Sequence, residues 1–167
     1  YFYGRAELRR ETLLPGRFSW YLRAMGQYAD SQMVPSETFG IGGYATVRGY
    51  DERTVSGDYG WLVVNELRSP RLVLGNLTEK TDAADWVQLV VFCDYGGVIT
   101  RDPNPRLFER YGENLLSVGF GVRYEMADNI RVRFDYGYQL SREYLTSPNQ
   151  LIEQPHGRVH VGVEASF

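Results

Sequence analysis

The chain has 167 residues, about the length of one domain, and its formal net charge of −3 gives no indication of nucleic-acid binding. No run approaches the ~20 apolar residues that a membrane-spanning helix needs, whereas a membrane-spanning strand needs only about 9–11 residues with one apolar face. The single cysteine, Cys93, excludes an internal disulfide and a cysteine-based metal cage. Because the chain begins at Tyr1 without Met or a signal peptide, we expect a segment of a longer precursor.

Four segments in the first hundred residues alternate between apolar and other side chains, as strands with one apolar face do. In chain order they are residues 1–8, 17–29, 60–68 and 85–96. Asn65 departs from the pattern, since it falls on the apolar face of the third segment. In the fourth segment, Cys93 and Tyr95 share the apolar face and Asp94 points to the opposite side.

Three stronger segments follow, at residues 116–126, 130–140 and 158–167. The middle one is the clearest. Its apolar face consists of Ile130, Val132, Phe134, Tyr136, Tyr138 and Leu140. Its other face consists of Arg131, Arg133, Asp135, Gly137 and Gln139. The sequence therefore predicts an all-β protein with seven antiparallel strands.

The connections alternate between short and long. Leu14–Gly16 and residues 127–129 are predicted to be tight turns, and residues 70–84 a link of medium length. Residues 30–59, 97–113 and 142–156 are predicted to be long loops. This alternation is typical of outer-membrane β-barrels, which have long extracellular loops and short periplasmic turns.

A soluble β-sandwich or lipocalin-like barrel also alternates, with its apolar face inside. The charges of neighbouring segments favour a membrane barrel with a wet lumen, because Arg123, Glu125, Arg131 and Arg133 share one face. The opposite face would contact outer-membrane lipid, and an Arg at Phe134 is expected to be costly there. Seven strands is an odd number and two open edges are not tolerated in lipid, so we expect further strands upstream.

Four motifs follow one another in order: Gly42-Gly43 with Val47-Arg48-Gly49-Tyr50, then Ser56-Gly-Asp-Tyr-Gly60, then Glu66-Leu-Arg-Ser-Pro70, then Phe92-Cys-Asp-Tyr-Gly96. They resemble the hallmarks of the outer-membrane insertase and translocase superfamily, and their close spacing is similar to its haemolysin secretion/activation branch, the TpsB transporters. A terminal aromatic, Phe167, resembles the sorting signal that the barrel-assembly machinery reads.

The resemblance implies the C-terminal seven strands of a sixteen-stranded transmembrane antiparallel β-barrel, with residues 30–59 as the extracellular motif loop. It also implies that the loop folds into the barrel and that Arg48 meets Asp94 on the strand that carries Phe92. Glu66, which also points inward, is a competing partner. The guanidinium of Arg48 presents a rigid fork that suits a carboxylate. Changing Arg48 or Asp94 to Ala is expected to have similar effects.

Other residues have plainer interpretations. We expect Tyr44 and Tyr50 to anchor the loop by packing, and His160 to be a lumen residue without a metal. No nucleophile–base pair is recognisable, so we expect no enzyme, no cofactor and no metal site.

The resemblance implies a pore in the bacterial outer membrane that exports an unfolded partner exoprotein. The alternatives are a barrel-assembly insertase of the same superfamily and a passive porin-like barrel. In the TpsB family periplasmic POTRA domains precede the barrel, and we identify none in these residues.

Overall fold

A computed structural model describes residues 2–75, 85–100, 111–126, 129–141 and 156–166. The strands in these ranges are β1 (Tyr3–Leu13), β2 (Ser19–Ala29), β3 (Phe39–Ile41), β4 (Val55–Gly57), β5 (Tyr59–Arg68), β6 (Leu72–Gly75), β7 (Asp85–Thr100), β8 (Tyr111–Met126), β9 (Ile130–Gln139) and β10 (Gly157–Ala165). A single 3₁₀ turn, Pro15–Arg17, joins β1 to β2. The described residues include no helix with the length and hydropathy that crossing a membrane requires.

The long strands form one antiparallel sheet in the order β1-β2-β5-β7-β8-β9-β10, with β1 and β10 at its two edges. Strand β6 pairs with the first part of β7, and β3 pairs with β4 in a separate two-stranded sheet. Each long strand pairs with its sequence neighbour among the long strands, as hairpin connections require. The predicted all-β antiparallel fold is confirmed.

Several strands are longer than the alternation predicts. Strand β1 continues to Leu13 instead of ending at residue 8, because its main chain stays paired with β2 as far as Leu13 opposite Ser19. Strands β7 and β8 remain paired out to Thr100 opposite Tyr111, which shortens the predicted loop 97–113 at both ends. Main-chain pairing continues where the side-chain pattern has become irregular, so hydropathy alone misplaces these ends.

The predicted link 70–84 is wrong over its first part, because Leu72–Gly75 forms β6 and pairs with β7. Pro70 has no N–H and interrupts the ladder only locally. Ser69 spans the break: its N–H donates to the carbonyl of Leu89 (2.9 Å), and its Oγ accepts from the N–H of Leu89 (3.0 Å).

The sheet has an apolar outer face and an inner face that is covered by the motif loop. Large apolar side chains that are exposed on the outer face include Trp61, Leu67, Leu89, Val91, Tyr95, Val118, Phe120, Val159, Val161 and Val163. On the inner face the loop reaches both edges of the sheet. Arg5 of β1 donates to the carbonyl of Glu37, and His160 of β10 accepts from the N–H of Gly49. Strands β5 and β9 are three spacings apart, about 14 Å in a flat sheet, yet Glu66 of β5 and Asp135 of β9 lie 2.7 Å and 3.7 Å from the same nitrogen of Arg48, so the sheet is strongly curved.

The inner face is polar only in part. Leu62, Val64, Val98 and Leu115 point inward and are almost fully buried. They pack in one cluster with apolar side chains of the loop and its hairpin, namely Phe39, Ile41, Val47, Tyr50 and Val55. Burying this apolar area stabilises the loop against the wall at about 25 cal/mol per Å².

Five sequence predictions lie wholly or partly outside the described residues. They are the terminal Phe167, part of the turn at 127–129, most of the loop 142–156, residues 76–84 of the link and residues 101–110 of the loop 97–113.

Candidate functional site

The motif loop between β2 and β5 is a hairpin whose stem is β3 and β4. Its tip is held by its own hydrogen bonds. The N–H of Gly43 donates to the carbonyl of Val47 (3.1 Å), and the N–H of Tyr44 donates to Oε1 of Glu52 (2.7 Å). Gly42 and Gly43 have φ values of +107° and +104°, a region that other residues rarely adopt. The pair of glycines therefore sets the turn that presents Arg48.

Arg48 lies inside the curved sheet and forks onto Asp94 of β7. Its Nε donates to Oδ2 of Asp94 (2.7 Å) and its Nη2 donates to Oδ1 (2.8 Å). The main-chain N–H of Arg48 also donates to Oδ2 (3.2 Å). Arg48 is 1% exposed and Asp94 is 0% exposed, although the two are 46 positions apart. The planar guanidinium allows this two-bond geometry, which a lysine cannot reproduce.

Glu66 of β5 binds the same guanidinium at the same time, so the expectation of competing partners is wrong. Nη1 of Arg48 donates to Oε1 of Glu66 at 2.7 Å. The same nitrogen lies 3.7 Å from Oδ1 of Asp135 on β9, a residue with no exposed area. Arg48 therefore links β5 to β7 and lies beside β9, with three buried carboxylates around its guanidinium.

The ring of Phe92 lies beneath this ion pair, with the Arg48 guanidinium carbon 3.5 Å from its centroid. The negative face of an aromatic ring attracts a cation, so Phe92 adds to the carboxylates. Burial on its own lowers the pKa of Arg48. The hydrogen bonds and charge of Asp94, followed by the charges of Glu66 and Asp135, outweigh burial and raise that pKa above its usual value. Arg48 is therefore a permanent cation here.

Gly49 brings the loop backbone against β9 and β10. It has a φ of +94°, and its carbonyl accepts from Nε2 of Gln139 at 2.6 Å. Its N–H donates to Nε2 of His160 at 3.2 Å, which makes the unprotonated nitrogen of that imidazole the acceptor. A side chain on Gly49 would collide with the main chain of Gly137. The glycine is required by both its conformation and this close approach.

The two flanking motif residues are completely buried. Val47 packs in the inner apolar cluster. Tyr50 also packs there, and its hydroxyl lies within hydrogen-bonding distance of the carbonyls of Leu116 (2.9 Å) and Ser141 (2.7 Å). The structure thus brings together every loop residue of the predicted motif and its predicted partners Glu66, Phe92 and Asp94.

Sequence reasoning missed several residues that hold the loop, among them Asp135, Gly137, Gln139 and His160. All four lie on the inner face of β9 or β10. Alternation assigns that face but does not indicate which inward residues meet the loop. Their one available signal in the sequence is Gly137, a glycine at an inward position of β9 between Asp135 and Gln139.

An antiparallel sheet with an apolar outer face, a partly polar inner face and short connections at one end has the pattern of a section of a transmembrane β-barrel wall. The model of the family described as haemolysin secretion/activation protein ShlB/FhaC/HecB matches residues 3–124, which is well over half of the chain. The chain belongs to this family, which consists of outer-membrane transporters of two-partner secretion. A comparison with curated proteins gives no significant match.

Proposed function

We propose that this chain forms part of the wall of an outer-membrane pore that exports an unfolded partner protein from the periplasm to the cell surface. The observation that supports the proposal is the position of the motif loop. Arg48 fixes it to Asp94 and Glu66, deep within the space that the sheet encloses. Family membership favours secretion over the barrel-assembly and porin-like alternatives.

We propose further that the loop is a reversible internal gate. It contacts the edge strands β1 and β10 as well as β5, β7 and β9 between them, so a polypeptide passing along the inner face must displace it. A carboxylate and a guanidinium 4 Å apart attract by up to ~4 kcal/mol at an effective dielectric of about 20. Desolvation cancels much of this attraction, so that each charged hydrogen bond contributes about 1.5–3 kcal/mol. An anchor of this strength holds the loop at rest and still allows release.

The transport cycle that we propose needs no enzymatic step. The client would be captured in the periplasm, by β-augmentation on POTRA domains, and threaded through the lumen. Since the periplasm contains no ATP, net export would be driven by binding and by folding at the cell surface. The outer-membrane location, the lipid contact of the outer face and assembly by the barrel-assembly machinery are parts of this proposal.

The test compares the proteins in the culture medium of the native host with and without the full-length protein. We expect at least one large exoprotein to disappear on deletion and to return on complementation. Arg48→Ala should restore it poorly, while Arg9→Ala, at an exposed arginine of the inner face of β1, should restore it fully. Heat-modifiable migration on gels shows whether each variant is folded.

Two other outcomes would overturn the proposal. A general loss of outer-membrane β-barrels on deletion would identify an assembly insertase. An unchanged set of secreted proteins, together with reduced uptake of small solutes, would identify a passive porin.

A further inference from the structure

A cavity of about 620 Å³ lies on the inner face, between the motif loop and the end of the sheet where the short β1–β2 and β8–β9 connections lie. Five arginines line it: Arg68, Arg71, Arg123, Arg131 and Arg133. Among the described residues, the acidic ones that line it are Glu125 and Glu164, so five positive charges face two negative ones. The described residues that line the cavity therefore have an excess of three positive charges, although the chain as a whole has a net charge of −3.

The buried carboxylates behind the cavity reduce this excess of positive charge but do not remove it, because Asp135 and Glu66 each serve several arginines. Asp135 accepts from Arg123 (2.8 Å) and from Arg133 (2.6 Å), in addition to lying near Arg48. Glu66 binds Arg48 and Arg68. Together with Asp94, three carboxylates serve four guanidinium groups. Each guanidinium has five N–H donors, so many N–H groups of the cavity arginines remain for a ligand.

Of the five arginines that line the cavity, Arg71 and Arg131 are the most available to a ligand. Arg131 pairs with Glu125 at 3.0 Å, and its side chain is 61% exposed. Arg71 lies over the ring of Trp86 with 4.2 Å between the guanidinium carbon and the centroid. Among the described residues no carboxylate lies within ion-pair distance of Arg71. Arg133 is held in the same way over Tyr44, at 4.1 Å. Aromatic rings thus fix the orientation of arginines whose charge is incompletely balanced.

The cavity continues toward the anchor of the loop. Arg68, Arg123, Arg133 and Tyr44 also line a second space of about 200 Å³, which reaches Arg48 and Arg23. Short connections lie on the periplasmic side of outer-membrane barrels. A polypeptide that enters from the periplasm would therefore meet the five arginines of this cavity before it meets the motif loop.

We infer that this cavity binds carboxylate-rich, extended stretches of the exported polypeptide, an inference that rests on the proposed function. Aspartate and glutamate side chains match the paired N–H groups of guanidinium, and the local charge excess attracts them along the lumen. Binding an acidic stretch here places the client next to the ion pairs of Arg48. Its carboxylates can then exchange with Asp94 and Glu66 as partners of the gate.

The test uses the purified full-length protein in detergent and a fluorescently labelled decapeptide of alternating Asp and Gly. The control peptide has Asn in place of Asp. We expect saturable binding of the acidic peptide that weakens as ionic strength rises, and no binding of the Asn peptide. The variant with Arg71→Gln and Arg131→Gln should bind the acidic peptide about fivefold more weakly, as expected for two partly exposed charge contacts. Both residues lie outside the buried network, so folding should persist.

The matched control is Arg9→Gln, which removes a positive charge from the same face of the sheet but outside the cavity. It should bind like the wild type. Equal binding of the Asp and Asn peptides, no binding at all, or unchanged affinity in the double variant would overturn this inference. Failure of the wild-type protein to support export of any exoprotein would instead overturn the proposed function, so the two failures are distinguishable.

Discussion

Gly49 at the loop tip and Gly137 of β9 meet backbone to backbone. A Cβ atom on Gly137 would lie 2.5 Å from the amide nitrogen of Gly49 and 2.6 Å from the carbonyl carbon of Arg48. Neither neighbour is a flexible side chain, so neither can move without moving the loop. The lumen wall is therefore shaped to receive the loop at this one position.

Gly137→Ala should push the loop tip off the wall. Overpacking of this kind costs about 1–3 kcal/mol, and here retreat of the loop relieves it. We expect faster proteolytic cleavage within residues 30–58 of the full-length protein, with the barrel still folded. Gly26→Ala is the control, because a Cβ there would meet only the carbonyl of Gly60 at 3.9 Å. Equal cleavage rates in the two variants would show that the contact does not restrain the loop.

Arg48→Ala should be more damaging than Asp94→Asn, in contrast to the similar effects expected of an isolated pair. Without Arg48 the carboxylate of Asp94 stays buried without its cation, which costs about 3–5 kcal/mol, whereas Glu66 and Asp135 keep other arginines. Without the charge of Asp94, Arg48 keeps Glu66 and loses hydrogen bonds that contribute about 1.5–3 kcal/mol. Urea unfolding in lipid vesicles measures both. Equal losses of unfolding free energy would mean that the buried charge of Asp94 does not depend on Arg48.

Alternation in the sequence was sufficient to identify the seven long strands and most of their two faces, because side-chain direction along a strand has a fixed period. It placed Asp94 and Glu66 inward, while the pairing with Arg48 came from the resemblance. The same period places Leu62 and Val64 inward with Glu66, but it could not explain why apolar side chains lie on that face. An apolar inward residue fits the pattern only once the loop that covers it is known. The apolar run 62–64 and the apolar pair 115–116 are the trace of this in the sequence.

The long-range contacts of the loop tip could not be predicted from the sequence. Gly49 and His160 are 111 positions apart, and Gly49 and Gln139 are 90 apart. Which inward residue of β9 or β10 meets the tip depends on the curvature of the sheet and on the depth to which the hairpin inserts. Neither quantity is encoded in local periodicity.

An Arg at Phe134 should destabilise the protein far more than an Arg at Gln88. Phe134 lies on the outer face and pairs with Val122, which pairs with Leu89. Gln88, next to Leu89, therefore lies at the same depth but lines the inner cavity. Arginine at mid-membrane on a lipid face costs about 2–4 kcal/mol.

The free energies of unfolding in vesicles compare the two variants. Gly137 is unsuitable as the lumen control because of its contact with the loop. Similar costs at Phe134 and Gln88 would indicate a soluble sandwich.

Deleting Phe167 should reduce the amount of protein that reaches the outer membrane. The alternation of β10 continues through its last described residues, and a terminal aromatic is the feature that we expect the barrel-assembly machinery to recognise. Quantification in outer-membrane fractions, with Phe167→Tyr as the conservative control, measures this effect. Undiminished assembly after the deletion would remove the sorting role from Phe167.

His160→Leu should loosen the loop at the edge strand without disturbing the Arg48 anchor. The substitution removes the acceptor of the Gly49 N–H, and a hydrogen bond of this kind contributes about 0.5–1.5 kcal/mol. We expect the exchange of the Gly49 amide hydrogen to become about 2- to 12-fold faster, which is that energy expressed as a ratio. The exchange of main-chain amides in β7 should not change. His156→Leu is the matched control, because the His156 ring contacts Tyr138 rather than the loop. Unchanged exchange at Gly49 in His160→Leu would show that the loop tip is held by Gln139 and the Gly137 contact alone.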